Sequence, residues 1–217
     1  MKTTAIISEY NPLHLGHLHH IKYTRKETGS DALICIMSGS FTQRGVPSII
    51  DKWTRAEMAI KSGIDLVIEL PVIYSVASAE FFSFFSLEIL DKLNIVNYLS
   101  FGSESGDIDI IRTIGEILAN EPEAYRIHLR KDLKAGLPFT QARTNALKEY
   151  IREKNLNNGL TDTLLNSSNN ILAIEYCKAL VKLNSSIKPI TLQRLGDSYN
   201  TRVPKSTFTS ATALRNI

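Results

Sequence analysis

Five short runs of β-branched and apolar residues, spaced by segments of helix length, constrain the fold of this 217-residue chain more than any other feature. They are residues 3–8 (TTAIIS), 32–37 (ALICIM), 65–70 (DLVIEL), 97–101 (NYLSF) and 189–194 (PITLQR). Strands joined through helix-length crossovers pair in parallel, and the right-handedness of those crossovers puts helices on both faces of the sheet. The predicted fold is therefore α/β, a doubly wound parallel sheet whose ligands are expected at the carboxyl ends of the strands.

Punctuation between the runs supports this reading. Asn11-Pro12 predicts a turn, followed by a helix over about 16–28 that Gly29 ends at C′. After the second run comes the polar loop SGSFTQRGVP, and then Asp51 caps a helix with Trp53, Ala56 and Ile60 on one face. Pro71 stops the third run, 77–93 reads as a largely apolar helix, and the fourth run ends in the turn Gly102-Ser103-Glu104. Residues 107 to about 152 are patterned as helix throughout, with Ile111, Ile114 and Leu118 on one stripe, and 107–156 is expected to form a helical insertion. It would split the α/β domain into 1–106 and 157–217. Asn157-Asn158-Gly159 marks a loop, a helix starts at Asn169 or Asn170, and the polar segment 196–209 is expected to be mobile. Ser210 to Arg215 (SATALR) has the form of a capped helix start with only two residues after it, which predicts that this sequence belongs to a longer chain.

Composition excludes several classes. The apolar fraction suffices for one main domain, and the excess of Lys and Arg over Asp and Glu permits an anionic partner without requiring one. Cys35 and Cys177 each sit in an apolar run and not in a C-x-x-C pair, so neither a disulfide framework nor a zinc ribbon is expected. Glu9 and His14 come too early for a signal-peptide apolar region, and Glu69, Glu80 and Glu88 break the longest apolar stretches. A cytoplasmic location with no membrane span follows.

The residues that promise chemistry begin at His14-Leu15-Gly16-His17, directly after the first strand. A glycine where strand turns into helix lets backbone approach an anion while first-turn amides point at it, which suits a phosphate. His14 and His17, one helical turn apart, can both offer a ring nitrogen to an oxygen that gains charge during transfer. A metal site using His19 and His20 would need acidic or cysteine ligands at a matching spacing, and none stands nearby. The second constellation is Ser38, Gly39, Ser40 and Arg44 in the loop after strand two, with Asp51, Lys52 and Arg55 beyond it. Lys52 and Arg55 share a helical face and suit a triphosphate or carboxylate. The third is Ser210, Thr212 and Arg215, an anion clamp at the start of a helix. No G-x-x-x-x-G-K-[ST] loop is present.

HLGH after strand one and SATALR after the last strand together resemble the HxGH nucleotidylyltransferase superfamily, which implies a Rossmann-type, nucleotidylyltransferase-like sheet. The longer stretches SEYNPLHLGHLHHI, MSGSFTQRGVPSIIDKWTRAEMAIKSGIDLVIELP, FGSE and SNNILAIEY are similar to the bacterial tRNA(Met) cytidine acetate ligase family. That resemblance implies activation of acetate by ATP, with Mg²⁺, to acetyl-adenylate and pyrophosphate, and transfer of acetyl to N4 of the wobble cytidine of elongator tRNA(Met). It also implies ATP contacts from Ile7, Ser8, Glu9, Tyr10, Asn11, His14, Gly16, His17 and His20, and from Gly102, Asn169 or Asn170, and Arg194. Gln193 stands where that family often has lysine. His14 and His17 would stabilise charge at the α-phosphate, and Lys52, Arg44 or Arg55 would offset repulsion between acetate and triphosphate. Two other functions fit the same turn: condensation of a nucleoside triphosphate with a phosphorylated metabolite, or nucleotide and RNA binding without catalysis.

Overall fold

The computed structural model describes residues 1–156, 162–194, 211 and 215. Its centre is a parallel five-stranded sheet in the order β3-β2-β1-β4-β5, built from β1 (Thr3–Ser8), β2 (Ala32–Ser38), β3 (Leu66–Leu70), β4 (Tyr98–Ser103) and β5 (Lys188–Gln193). The winding direction reverses between β1 and β4, so a crevice opens at their carboxyl ends, the position where ligands of doubly wound sheets bind.

β1 and β2 read as unbroken apolar runs because both of their faces are covered. Ile6, Leu33, Cys35 and Met37 pack with Ile21 of α1 (Leu15–Thr28) and Ala59 of α2 (Lys52–Lys61) in one core. Ala5, Ile34 and Ile36 point the other way and join Leu99 and Phe101 of β4 in a larger one. Phe82 and Leu87 of α4 (Ala79–Leu93), Ile111 and Ile114 of α5 (Ile108–Asn120), and Ala173 and Tyr176 of α9 (Ser168–Lys182) complete that second layer. Cys35 and Cys177 are buried free thiols.

Helix ends follow their signals. Asp51 Oδ1 accepts the amides of Trp53 and Thr54 at 3.0 Å each, Asp107 does the same for α5, and Gly29 closes α1 with φ 57°. The apolar stripe predicted for α2 is not its buried face. Trp53 is 75 % and Ile60 46 % exposed, whereas Arg55 and Ala59 turn inward, because the Arg55 guanidinium has carbonyl partners beneath the helix.

The helix expected over 77–93 is preceded by a separate short turn of helix, α3 (Val72–Ser75). The helical stretch from 107 divides between two roles. α5 packs on α9 and β5 as part of the α/β body, while α6 (Glu123–Lys134) and α7 (Phe139–Glu153) form a hairpin outside it, followed by α8 (Asp162–Asn166). The loop at 157–159, the segment 196–209, Ser210 and Thr212 lie outside the described residues. Among the described residues no helix is long and apolar enough to cross a membrane.

α5 and α9 meet at a glycine. A Cβ on Gly115 would stand 2.7 Å from Cys177 Cβ and 2.9 Å from the Lys178 amide nitrogen, so the helices would have to separate. Replacing Gly by Ala favours a helix by roughly 1 kcal/mol, but overpacking against backbone costs about 1–3 kcal/mol or more. Gly115→Ala should therefore lower the urea unfolding midpoint; a midpoint equal to the parent's or above it would show that this contact yields freely.

Candidate functional site

A cleft of about 330 Å³ occupies the β1/β4 switch point. Its polar end is built by the turn after β1. His14 is the N-cap of α1, with extended backbone, and its Nδ1 accepts the Gly16 amide at 3.1 Å. His17 Nδ1 in turn accepts the His14 amide at 3.3 Å, so each imidazole caps the helix start for the other. The rings stack at 3.8 Å between centroids. Gly16 is required by this arrangement, since a Cβ there would come within 2.9 Å of His14 Cε1. A ring nitrogen that accepts an amide proton carries none of its own, so both imidazoles hold their proton on Nε2 and present it as a donor.

Burial keeps these rings neutral. Desolvation, with the Arg194 guanidinium adding to it, lowers His14 to about 4 and His20 to about 4. His17 is pushed well below its ordinary value by desolvation first and by His14 and Arg194 next. His20 is further anchored by Nε2 to Ser100 Oγ at 2.8 Å, and Ser100 bonds Thr24 at 2.7 Å. The polar end thus offers neutral donors and fixed cations and no cluster of protonatable bases.

Most of the residues anticipated for a nucleotide line this cleft: Ile7, Ser8, Glu9, Tyr10, Asn11, His14, His17, His20, Gly102, Asn169, Arg194 and Arg215, joined by Arg44 from the second loop. Arg215 donates to the Asn11 carbonyl at 2.6 Å, which brings the far end of the chain to the first turn. Arg194 lies across Gly102. Glu104 gives Asn169 and Asn170 different surroundings. Its carboxylate accepts Asn169 Nδ2 at 2.7 Å and the Asn170 amide at 2.8 Å, and Asn170 Oδ1 accepts the amides of Glu104 and Ser105 at 2.8 and 3.1 Å. Asn170 is therefore buried behind the cleft, locking α9 to the β4 loop, while Asn169 lines it. An apolar wall of Phe82, Phe101, Leu172 and Tyr176 went unmarked in sequence, while Gln43 of the second loop joins the lining beside Arg44. The spacing of Leu172 and Tyr176 at i and i+4 is the signal that was available.

The loop after β2 and the start of α2 correct the remaining expectations. Arg55 does not face an anion: it has no exposed surface, and its guanidinium is committed to the carbonyls of Ile50 at 3.0 Å, Glu9 at 2.5 Å, Ser38 at 3.0 Å, and Gly39. Lys52 meets the Glu69 carboxylate at 2.7 Å and lies over the Trp53 ring. Ser38 and Gly39 lie beneath Arg55, the Ser40 carbonyl accepts the Ser48 amide at 2.9 Å, and the Asp51 carboxylate is committed to its cap. None of these lines the cleft. Another depression of about 370 Å³, between Met1, Leu90 and Ile187, lies at the amino ends of the strands, away from the imidazoles.

A histidine-capped helix start at the switch point of a doubly wound sheet defines a nucleotidyltransferase-type site, and over residues 1–217 the chain belongs to the HIGH Nucleotidyl Transferase family. Its relatives are more specific. It is 53 % identical over 216 residues to the tRNA(Met) cytidine acetate ligase of Clostridium novyi, covering 100 % of this chain and 53 % of that protein. It is 51 % identical over 218 residues to the corresponding ligase of Clostridium perfringens, covering 99 % and 54 %. Among solved structures it is similar to Thermotoga maritima TmcAL in its apo form I, with TM-score 0.93, 38 % identity, and coverage of 100 % of this chain and 51 % of that one. The same protein bound with alpha-thio ATP (form II) gives TM-score 0.90 at 38 % identity, covering 100 % and 50 %. The chain spans about half the length of these relatives.

The depressed imidazoles make stability pH-dependent. A histidine whose folded value is about 4 stays neutral in the fold while the unfolded chain takes up a proton below about 6.5, so stability is whole above 6.5 and is lost as pH falls toward 4. His14→Asn/His20→Gln keeps hydrogen-bonding groups at both positions and removes both titrations. Urea unfolding of this variant should weaken less than the parent's between pH 6.5 and 4. Parallel curves would mean that these rings titrate normally.

Proposed function

We propose that this chain uses ATP to activate acetate as acetyl-adenylate, and that the whole protein passes the acetyl group to N4 of the wobble cytidine of elongator tRNA(Met). The observation that carries the reading is the reciprocal cap, which commits Nδ1 of His14 and His17 and so assigns the proton to Nε2 of two rings that line the cleft. The bound ATP analogue and the ligase names of the relatives support the choice of substrates.

In the proposed reaction a carboxylate oxygen of acetate attacks the α-phosphorus, the bond to the bridging oxygen breaks, and pyrophosphate leaves with the electron pair. Negative charge grows on the α-phosphoryl oxygens in the transition state, where fixed donors in a desolvated cleft are worth most. His14 and His17 contribute such donors, and their neutrality adds no cationic repulsion beside Arg194. The amine N4 then attacks the acetyl carbonyl, loses a proton, and AMP departs. With Arg55 and Lys52 committed elsewhere, Arg44, Arg194 and Arg215 are the lining cations at hand for the triphosphate and the acceptor carboxylate.

Mg²⁺ would enter with the nucleotide. Glu9 is the carboxylate among the described lining residues, with one oxygen taking the Gln43 amide at 2.8 Å. That donor set fits an ion held chiefly by phosphate oxygens, which would neutralise the leaving pyrophosphate.

His17→Ala should lower kcat for acetate-dependent ATP–pyrophosphate exchange by roughly 10²-fold or more, with a smaller effect on ATP affinity, because the donor matters most in the transition state. Exchange that proceeds at the parent's rate would refute this role, and exchange that needs a phosphorylated acceptor would replace acetate.

A further inference from the structure

The α6–α7 hairpin carries a local excess of positive charge. Lys and Arg number 25 against 22 Asp and Glu, and residues 121–156 hold eight of the former and five of the latter. The α6–α7 hairpin and its flanks are therefore net positive by three. On α6, Arg126, Arg130 and Lys134 recur at four-residue steps with Lys131 beside them, all exposed. Four residues of helix advance about 6 Å, so these cations form a row on one face.

Three other surface helices cancel charge at this spacing. Lys61 of α2 pairs with Glu57, Lys92 of α4 with Glu88, and Arg112 of α5 with Glu116. α6 does not. Glu123 engages Arg126 at its start, and Asp132 is turned to Asn145 Nδ2 at 2.8 Å. Among the described residues, no carboxylate stands within ion-pair distance of Arg130, Lys131 or Lys134. A row of like charges one turn apart weakens a helix, so packing gives it no purpose.

The opposite side of α6 is rooted in the protein. Tyr125 is buried in the larger core and Leu129 packs against it, while Arg143 of α7 binds Glu175 of α9 at 2.6 Å. The start of α9 lines the cleft. The row is thus held in fixed relation to the site.

We infer that the outer face of α6 is a docking surface for an RNA phosphodiester backbone, that of the acceptor tRNA; this rests on the reading proposed above. Evenly spaced cations in a single row match a strand of regularly spaced phosphates, and such contacts position a nucleic acid without reading its sequence. Binding strength should then fall with salt in proportion to the contacts made.

The test titrates elongator tRNA(Met) with the full chain across a salt series. Three proteins are compared: the parent, Arg130→Gln/Lys131→Gln/Lys134→Gln, and a control with the same charge loss, Lys61→Gln/Lys92→Gln/Arg112→Gln. The slope of log K against log salt should fall by about 2 in the α6 variant, at roughly 0.7–0.9 per contact, and stay at the parent's value in the control. Lys134→Gln alone should lower it by about 1, which keeps the test open if the triple variant misfolds. Acetate-dependent pyrophosphate exchange should be unchanged in every variant. A slope unchanged in the α6 variants, or lowered equally in the control, overturns the inference. Absence of exchange in the parent overturns the proposed reaction instead, and the slopes still decide whether α6 binds RNA.

Discussion

A fully buried guanidinium holds the mouth of the cleft together. Arg55 has no exposed surface and, among the described residues, no carboxylate within ion-pair distance, a state that would be costly without compensating hydrogen bonds. Compensation comes from carbonyls that the sheet leaves over. Where β1 and β2 end, main-chain acceptors run out of partners, and Arg55 reaches those of Glu9, Ser38 and Gly39 as well as Ile50 on its own side. It therefore ties the loop bearing the histidines to the loop bearing Gln43 and Arg44. The Gln43 amide on Glu9 and the Ile49 amide on Asn11 Oδ1, at 2.8 and 2.9 Å, reinforce the same seam.

With that frame fixed, the first turn of α1 can use side chains where helices usually use Ser or Asp. A histidine cap costs more volume than a serine, which is why residue 16 has no side chain: the His14 ring occupies its place. In return the cap sets the tautomer. A serine cap would satisfy the same amide and leave nothing aimed outward. Here the nitrogen that stabilises the helix and the nitrogen that carries the proton belong to one ring, so local folding and the choice of donor atom cannot be separated. The neutrality of these rings has the same source, because the packing that aligns them also removes their water.

The parallel sheet and the first turn were legible in sequence because both rest on local patterns. Apolar runs of strand length mark strands covered on both faces, and a glycine between histidines at a strand–helix junction is a short-range signal. What sequence hid depends on distant partners. Lys52 and Arg55 share a helical face, as expected, yet that face points at Glu69 and at the carbonyls of the β1 and β2 loops. A charge pattern identifies neighbours along a helix and says nothing of what lies opposite. Trp53 misled for the converse reason: a large apolar residue at helical spacing implies burial only where another element covers it, and here it is 75 % exposed with Lys52 over its ring. Asn169 and Asn170 were indistinguishable until Glu104, far away in sequence, claimed both amides. The apolar wall escaped because Phe82, Phe101 and Tyr176 read equally well as core, and they serve as core on the sides that face away from the cleft.

The hairpin shows how charge can fix position without adding much stability. Glu175 is almost fully buried, with Arg143 at 2.6 Å and Lys178 at 3.3 Å, and Lys178 continues to Glu80 at 2.7 Å. Desolvation of such a chain of ions offsets most of its Coulomb attraction, so its net worth in stability is small. Its consequence is directional. Glu175 and Lys178 are its buried members, and each has a partner on a second helix, so α7, α9 and α4 are favoured in the arrangement that pairs them all. A purely apolar seam between the same helices would tolerate sliding, and sliding would move α6 relative to the N-terminus of α9 and hence to the cleft. The protein thus keeps neutral imidazoles at the cleft and a row of exposed cations on an outer helix, with a buried ion network between them.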